Sequence, residues 1–141
     1  LVPGISSALA VPASQNIPLT KRGFSESFWV ITGTTKSHEL SKDIALAAKS
    51  NATVIILMGM GKLKEIITLF KQEGKNDLPV AIIQSGTTPD EKIGIGDVST
   101  IERIVKEKRL SNPAIIILGQ VVKHREKFIA LQHYINTKEV I

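Results

Sequence analysis

The sequence contains no cysteine, which excludes disulfide bonds, thiolate metal ligands and thiol nucleophiles. Its apolar runs are short, and none approaches the roughly 20 residues that a membrane-spanning helix needs. The first residues also lack the charged segment and apolar stretch of a secretory signal peptide. We therefore expect a cytoplasmic protein that has no membrane as a partner.

Aromatic residues are scarce, with four phenylalanines, one tryptophan and one tyrosine. The net charge is +5, but lysines and arginines alternate with acidic residues along the chain. Nucleic-acid interfaces combine clustered basic residues with aromatic side chains that stack on bases. The basic residues are therefore interpreted as a solvated surface, and nucleic acid is not an expected partner.

Short motifs of nucleotide, metal and hydrolase sites are missing as well. Gly59 and Gly61 lack the third glycine of a dinucleotide-binding loop, and no Gly-x-Ser-x-Gly segment occurs. His124 and His133 do not have the i, i+4 spacing of two zinc ligands on a helix. The residues alone thus identify no catalytic group and no metal site.

The clearest structural signal lies in residues 51–72. The apolar run 53–57 is typical of a strand that is buried on both faces. Residues 63, 66, 67 and 70 are apolar and recur at helical spacing, so a helix is predicted over 63–72. Ligands of open α/β sheets bind beyond the carboxyl ends of strands, so the corner at Met58 and Gly59 is a candidate site.

The rest of the chain repeats this alternation of strands and helices, which predicts an α/β domain. We expect a mixed, mostly parallel five-stranded sheet flanked by helices. The predicted strands are 27–32, 53–57, 80–83, 92–97 and 114–118. Helices are predicted over 40–49, 63–72 and 100–108, with a small-residue helix after Gly4 that ends or kinks near Pro12 and a short one around 128–134.

Two polar segments have both a structural and a functional interpretation. Ser6 or Ser7 caps the first helix, or the same helix start offers a hydroxyl and free N–H groups to a ligand. Lys21 and Arg22 are adjacent on a predicted loop, where they are either plain surface charge or contacts for a substrate with several carboxylates. Met58, which follows the predicted strand 53–57, also has two interpretations: its thioether side chain either fills the core or packs against a ligand.

Six segments, in this order and spacing, resemble the tetrapyrrole methylases. They are VPGISSA (2–8), IPLTKRG (17–23), VITG (30–33), TVIILMG (53–59), PVAIIQSGTTP (79–89) and NPAIIILGQVV (112–122). The resemblance covers about residues 1–126. It implies the C-terminal domain of a two-domain α/β methylase that uses S-adenosylmethionine as methyl donor.

This resemblance also implies how the chain is divided. Residues 1–16 would form an interdomain junction and helix, 17–126 the C-terminal methylase domain and 127–141 a tail. Leu1 and Val2 read as the end of a strand whose beginning is missing, so we expect a fragment. The partners implied are the N-terminal domain of the same chain, a tetrapyrrole substrate and a second copy in a homodimer.

The family's functional positions map onto particular residues of this sequence. Arg22 matches an arginine that faces the tetrapyrrole carboxylates, whereas Lys21 stands where the family often has histidine. Asp90 and Glu91 depart from the more basic sequence often found after Thr-Thr-Pro. The matching cofactor positions are Ser6, Ser7, Met58, Ala81, Gly86 and Ala114.

By the same resemblance, the expected reaction is transfer of a methyl group from a sulfonium to a pyrrole carbon. Such a displacement depends on positioning and removal of water more than on a protein nucleophile. The resemblance places the family's glycine-rich loop and Gly-Gly-Asp segment in the other domain, and no stretch of this sequence matches them, so the chain alone is expected to be inactive. Two alternatives stay open, namely another substrate of the family and a non-catalytic binding or dimerisation module.

Overall fold

The computed structural model describes residues 1–138, which form a five-stranded sheet with helices on both faces. The strands are β1 (Phe28–Thr32), β2 (Thr53–Leu57), β3 (Pro79–Gln84), β4 (Lys92–Asp97) and β5 (Ala114–Leu118). The helices are α1 (Ser7–Ser14), α2 (Asp43–Lys49), α3 (Leu63–Gln72), α4 (Ile101–Lys108) and α5 (His124–Lys138). Single-turn 3₁₀ helices at Met60–Lys62 and Gln120–Lys123 precede α3 and α5.

The strand order is β1-β2-β5-β3-β4. Of the four strand pairs in residues 1–138, only β1 with β2 is parallel, and the other three are antiparallel. The predicted mixed five-stranded α/β sheet is confirmed, but the expectation that it is mostly parallel is wrong. That expectation assumed that every helix connects two neighbouring parallel strands. In the structure, β5 instead lies in the middle of the sheet and runs antiparallel to its neighbours β2 and β3.

Helices α2, α3 and α4 cover one face of the sheet. Helix α3 turns its apolar stripe inward, so that Ile66, Ile67 and Phe70 are at most 1% exposed. The opposite face is covered by α1 and by the segment that follows β5, with Val11, Val121 and Val122 in contact with the sheet. Because both faces are covered, the central strands are continuous apolar runs rather than alternating ones.

Element boundaries differ from the predictions mainly at helix ends. Helix α2 begins at Asp43, three residues later than expected, because residues around Leu40 form a bridge with Thr34 instead. Helix α5 begins at His124 and is longer than the predicted 128–134 segment. Residues 139–141 of the predicted tail lie outside the described residues. No described helix is both long and apolar enough to cross a membrane.

Lys21 and His124 connect the loop before β1 to the start of α5. The Lys21 Nζ lies 3.0 Å from Nδ1 of His124, and the Phe24 ring meets the imidazole edge-on at 4.5 Å. An ammonium group only donates, so Nδ1 accepts and the imidazole proton resides on Nε2. His124 is 4% exposed. Burial, and then the charges of Lys21 and Lys127, lower the pKa of His124.

We expect the free energy of unfolding to fall as the pH drops below about 6.5, the ordinary pKa of histidine. In the folded state, His124 becomes protonated only at a lower pH than in the unfolded state. Between these two pH values the unfolded state binds more protons, so acid favours unfolding. His124→Gln keeps an acceptor for Lys21 but does not titrate. Urea unfolding between pH 7 and pH 5 should therefore show a smaller pH dependence for this variant.

The control is His38→Asn, which removes an exposed histidine and retains a residue that tolerates the left-handed backbone of position 38. A reduction of the same size in His38→Asn would show that the effect is not specific to His124. An unchanged pH dependence in His124→Gln would contradict the role assigned to His124.

Candidate functional site

The strand directions bring three loops to one edge of the sheet. Strands β2 and β3 both run antiparallel to β5, and β1 runs parallel to β2, so β1, β2 and β3 point the same way. Their carboxyl ends therefore meet the amino ends of β4 and β5. We call this the site edge. It is where ligands of open α/β sheets bind.

Met58 stands at the site edge directly after β2. Its side chain is 63% exposed, which excludes the interpretation of a core-filling methionine. Its backbone is left-handed (φ 54°), and its carbonyl accepts a 2.9 Å hydrogen bond from Oγ1 of Thr34. The loops after β1 and β2 approach closely here: a Cβ on Gly33 would lie 2.5 Å from Cα of Gly59. Glycine at position 33 therefore permits this arrangement.

Helix α1 begins at the same edge, and its two serines have different roles. Ser6 is the N-cap, and its Oγ accepts a 3.2 Å hydrogen bond from the backbone N–H of Ala8. Ser7 lines a cleft together with Met58. Ser6 is therefore the helix cap, whereas Ser7 is the serine that can face a ligand.

The loop between β3 and β4 forms the next wall of the cleft. Gly86 packs directly on α1, where a Cβ at position 86 would lie 2.5 Å from Cγ1 of Val11. Two residues of this loop, Ser85 (φ 49°) and Thr87 (φ 66°), have a left-handed backbone. This conformation costs about 1–2 kcal/mol for residues other than glycine. Such strain is found preferentially at ligand-binding and active sites.

The cleft at the site edge has a volume of about 590 Å³, within the range of small-molecule and cofactor sites. Four of the six predicted cofactor positions line it together: Ser7, Met58, Gly86 and Ala114. Further lining residues are Ser85, Thr88, Asp90 and Pro113, which lie in or next to polar segments noted in the sequence, and Val11, Leu57, Ile83 and Ile115, which the sequence did not single out. They flank the predicted positions on the same strand ends, so knowledge of the strand order was the missing signal.

The cleft walls are mostly apolar, with polar groups at the rim. Leu57, Ile83 and Ile115 provide apolar surface, whereas Ser85 and Thr88 provide hydroxyls. Asp90 adds a negative charge on the exposed part of the loop. Such a site can hold a ligand that combines an apolar body with a positive charge. No group of three or more potential metal ligands is found among the described residues.

Ala81 and Arg22 are not part of this cleft. Ala81 is fully buried in β3 and packs in the core on the α1 face of the sheet, as an ordinary core alanine does. Arg22 is exposed on the loop before β1. In that loop, Ser25 Oγ accepts a 2.9 Å hydrogen bond from the N–H of Thr53, the first residue of β2. Arg22 lies beside Ser25 and therefore at the opposite edge of the sheet, which β2 separates from the site edge by its length of about 13 Å.

The sequence matches a known protein family. The family model described as Tetrapyrrole (Corrin/Porphyrin) Methylases matches residues 1–102. The uroporphyrinogen-III C-methyltransferase of Priestia megaterium is 39% identical over 125 residues, which are 86% of this chain and 52% of that protein. The siroheme synthase of Methylobacillus flagellatus is 38% identical over 128 residues, 90% of this chain and 27% of that protein.

Solved structures agree with these relatives. The uroporphyrin-III C-methyltransferase from Thermus thermophilus, complexed with S-adenyl homocysteine, has a TM-score of 0.73 at 27% identity and covers 87% of this chain and 53% of that one. Cobalt precorrin-4 methyltransferase shares the fold, with a TM-score of 0.76 at 23% identity, and covers 85% of this chain and 51% of that one. The chain spans about half the length of these methyltransferases. The resemblance seen in the sequence is confirmed, and the protein belongs to the tetrapyrrole methylase family.

Proposed function

We propose that the chain is the C-terminal part of an S-adenosylmethionine-dependent uroporphyrinogen-III C-methyltransferase. The observation that carries the proposal is the cleft at the site edge, where Ser7, Met58, Gly86 and Ala114 lie together. Two further findings support it. Relatives of 35% and 39% identity are uroporphyrinogen-III C-methyltransferases, and a solved structure of 27% identity is complexed with S-adenyl homocysteine.

The residues of the cleft fit a sulfonium methyl donor. When bound, S-adenosylmethionine supplies the methyl group as an electrophile on a positively charged sulfur. Met58 and the apolar residues around it exclude water from such a centre, which favours the displacement. Asp90 offers a charge of the opposite sign at the rim. Ala114 is small, so the start of β5 leaves room for the donor to approach the backbone.

The proposal includes a tetrapyrrole substrate and the division of the chain that the family suggests. Residues 1–16 are assigned to an interdomain junction and helix, 17–126 to the C-terminal domain and 127–141 to a tail. Arg22 is assigned to substrate carboxylates on the family match alone, at a distance from the cleft. A homodimer, a cytoplasmic location and completion of the cleft by an N-terminal domain rest on the same resemblance.

We expect the chain to bind S-adenosylhomocysteine and Ala114→Leu to weaken this binding by about tenfold or more, equivalent to about 1.4 kcal/mol. Position 114 lines the cleft and is only partly buried, and its side chain packs against the core under α2–α4, so the larger side chain crowds the cleft wall at the start of β5. Isothermal titration calorimetry measures both affinities.

The matched control is Ala13→Leu, which adds the same volume on an exposed position of α1 outside the cleft. Its affinity should equal that of the unmodified chain. An equal loss of affinity in both variants, or no loss of affinity in Ala114→Leu, would indicate that the ligand binds outside the cleft.

A second expected outcome concerns turnover. The 141-residue chain should not methylate uroporphyrinogen III, because the family's glycine-rich loop and Gly-Gly-Asp segment have no match in its sequence. A protein in which this chain follows an N-terminal methylase domain should do so. Product formation is followed by transfer of a labelled methyl group.

Methylation by the 141-residue chain alone would refute this expectation. Methylation of a precorrin but not of uroporphyrinogen III by the longer protein would assign the other substrate class. Absence of both reactions would favour a non-catalytic module.

A further inference from the structure

The loop between β3 and β4 has a backbone shape that its own sequence does not favour. Thr87 is β-branched, and its left-handed backbone (φ 66°) is rare for such a residue. Ser85, also left-handed, lies two residues earlier. Local hydrogen bonds from Thr88 to the Ser85 carbonyl form a turn, but none of them involves the N–H of Thr87. The loop therefore needs an additional contact to hold Thr87 in place.

Glu91 provides that contact from the end of the loop. Its Oε2 accepts a 2.7 Å hydrogen bond from the backbone N–H of Thr87. Its Oε1 accepts a hydrogen bond from Nε2 of Gln15, the residue that caps the carboxyl end of α1. One carboxylate thus closes the loop internally and attaches it to the helix on which Gly86 packs.

Gln15 is itself oriented by a third residue. Its Oε1 accepts a 3.1 Å hydrogen bond from Nη2 of Arg125, near the start of α5. A guanidinium group only donates, so the amide oxygen faces Arg125 and the amide nitrogen faces Glu91. Gln15 is 9% exposed. The hydrogen bonds therefore run in one direction through the three side chains: the cation Arg125 donates to Gln15, and the amide of Gln15 donates to the anion Glu91.

We propose that Glu91 and Gln15 are positioning residues for the cleft. Their hydrogen bonds hold the β3–β4 loop in the strained shape in which Gly86, Thr88 and Asp90 line the cleft, so the binding surface exists before the ligand arrives. A ligand that meets a preformed wall does not have to order it, and its affinity is higher. As far as it concerns the methyl donor, this inference rests on the function proposed above.

Exchanging the two side chains gives a direct test. In Glu91→Gln, the new amide nitrogen faces the amide nitrogen of Gln15. Either the hydrogen bond between these two side chains is lost, or the amide of Gln15 rotates and its nitrogen faces Arg125. In Gln15→Glu, two carboxylates face each other. The double variant restores the hydrogen bonds in a new order. The amide oxygen at position 91 accepts from Thr87, the amide nitrogen there donates to the carboxylate at position 15, and that carboxylate accepts from Arg125.

We expect each single variant to lower the affinity for S-adenosylhomocysteine by about tenfold, the effect of one lost hydrogen bond. The double variant should recover to within about twofold of the unmodified chain, because neighbouring substitutions in one network are non-additive. Calorimetric titration gives the four affinities. Glu26→Gln is the matched control, since it removes one negative charge at the opposite edge, and it should bind normally.

Hydrogen exchange of the Thr87 amide, read by NMR, tests the same contact without any ligand. Exchange should be faster in both single variants and slow again in the double variant. If the unmodified chain bound no S-adenosylhomocysteine, the proposal of a donor site on this chain alone would fail, and exchange at Thr87 would still decide this inference. Equal exchange in all four proteins, or a double variant no better than the single ones, would overturn it.

Discussion

The position of β5 between β2 and β3 determines where the loops of this protein lie. Residues 115–118 pair with β2 on one side and with β3 on the other, and they are at most 6% exposed. Because β5 is antiparallel to both neighbours, β2 and β3 end at the same edge. The loops after them, the turn before β5 and the start of α1 then enclose a single cleft. Met58, Gly86 and Ala114 are distant in sequence and come to one edge because β5 lies between β2 and β3.

Much of the fold follows from local patterns in the sequence. The bounds of β2, α3, β4 and β5 agree with the predictions because each is a sharp apolar run, a helical stripe or an alternating segment. Strand direction was not predictable in this way, since apolar runs such as 53–57 and 114–118 read the same in either orientation. The expectation of a mostly parallel sheet was wrong for that reason.

The candidate site was predicted only in part from the sequence. Met58 was identified from its position after a buried strand and Ser7 from its position at a helix start, whereas Gly86 and Ala114 were identified by resemblance alone, and the structure brings the four together. Ala81 illustrates the limit of such matches, because a small residue in a strand is equally suited to the core. The contact between Gln15 and Glu91 spans 76 positions. Neither residue has a local signature, so only the packed structure reveals the pair.

Three of the six non-glycine residues with a left-handed backbone in residues 1–138 lie in the loops at the site edge. Met58, Ser85 and Thr87 all have left-handed backbones, and two of them line the cleft directly. Their conformations are maintained by neighbours: Thr34 bonds the carbonyl of Met58, and Glu91 bonds the N–H of Thr87. The rigid sheet thus supports loops that would relax if they were isolated.

The contact between Val11 and Gly86 has a consequence for how this sequence can diverge. The space that a side chain at position 86 would need is already filled by the Val11 methyl groups. A larger residue at 86 is therefore compatible with the fold only alongside a smaller one at 11. Among descendants of this sequence, the two positions should change as a pair, although they are 75 positions apart along the chain.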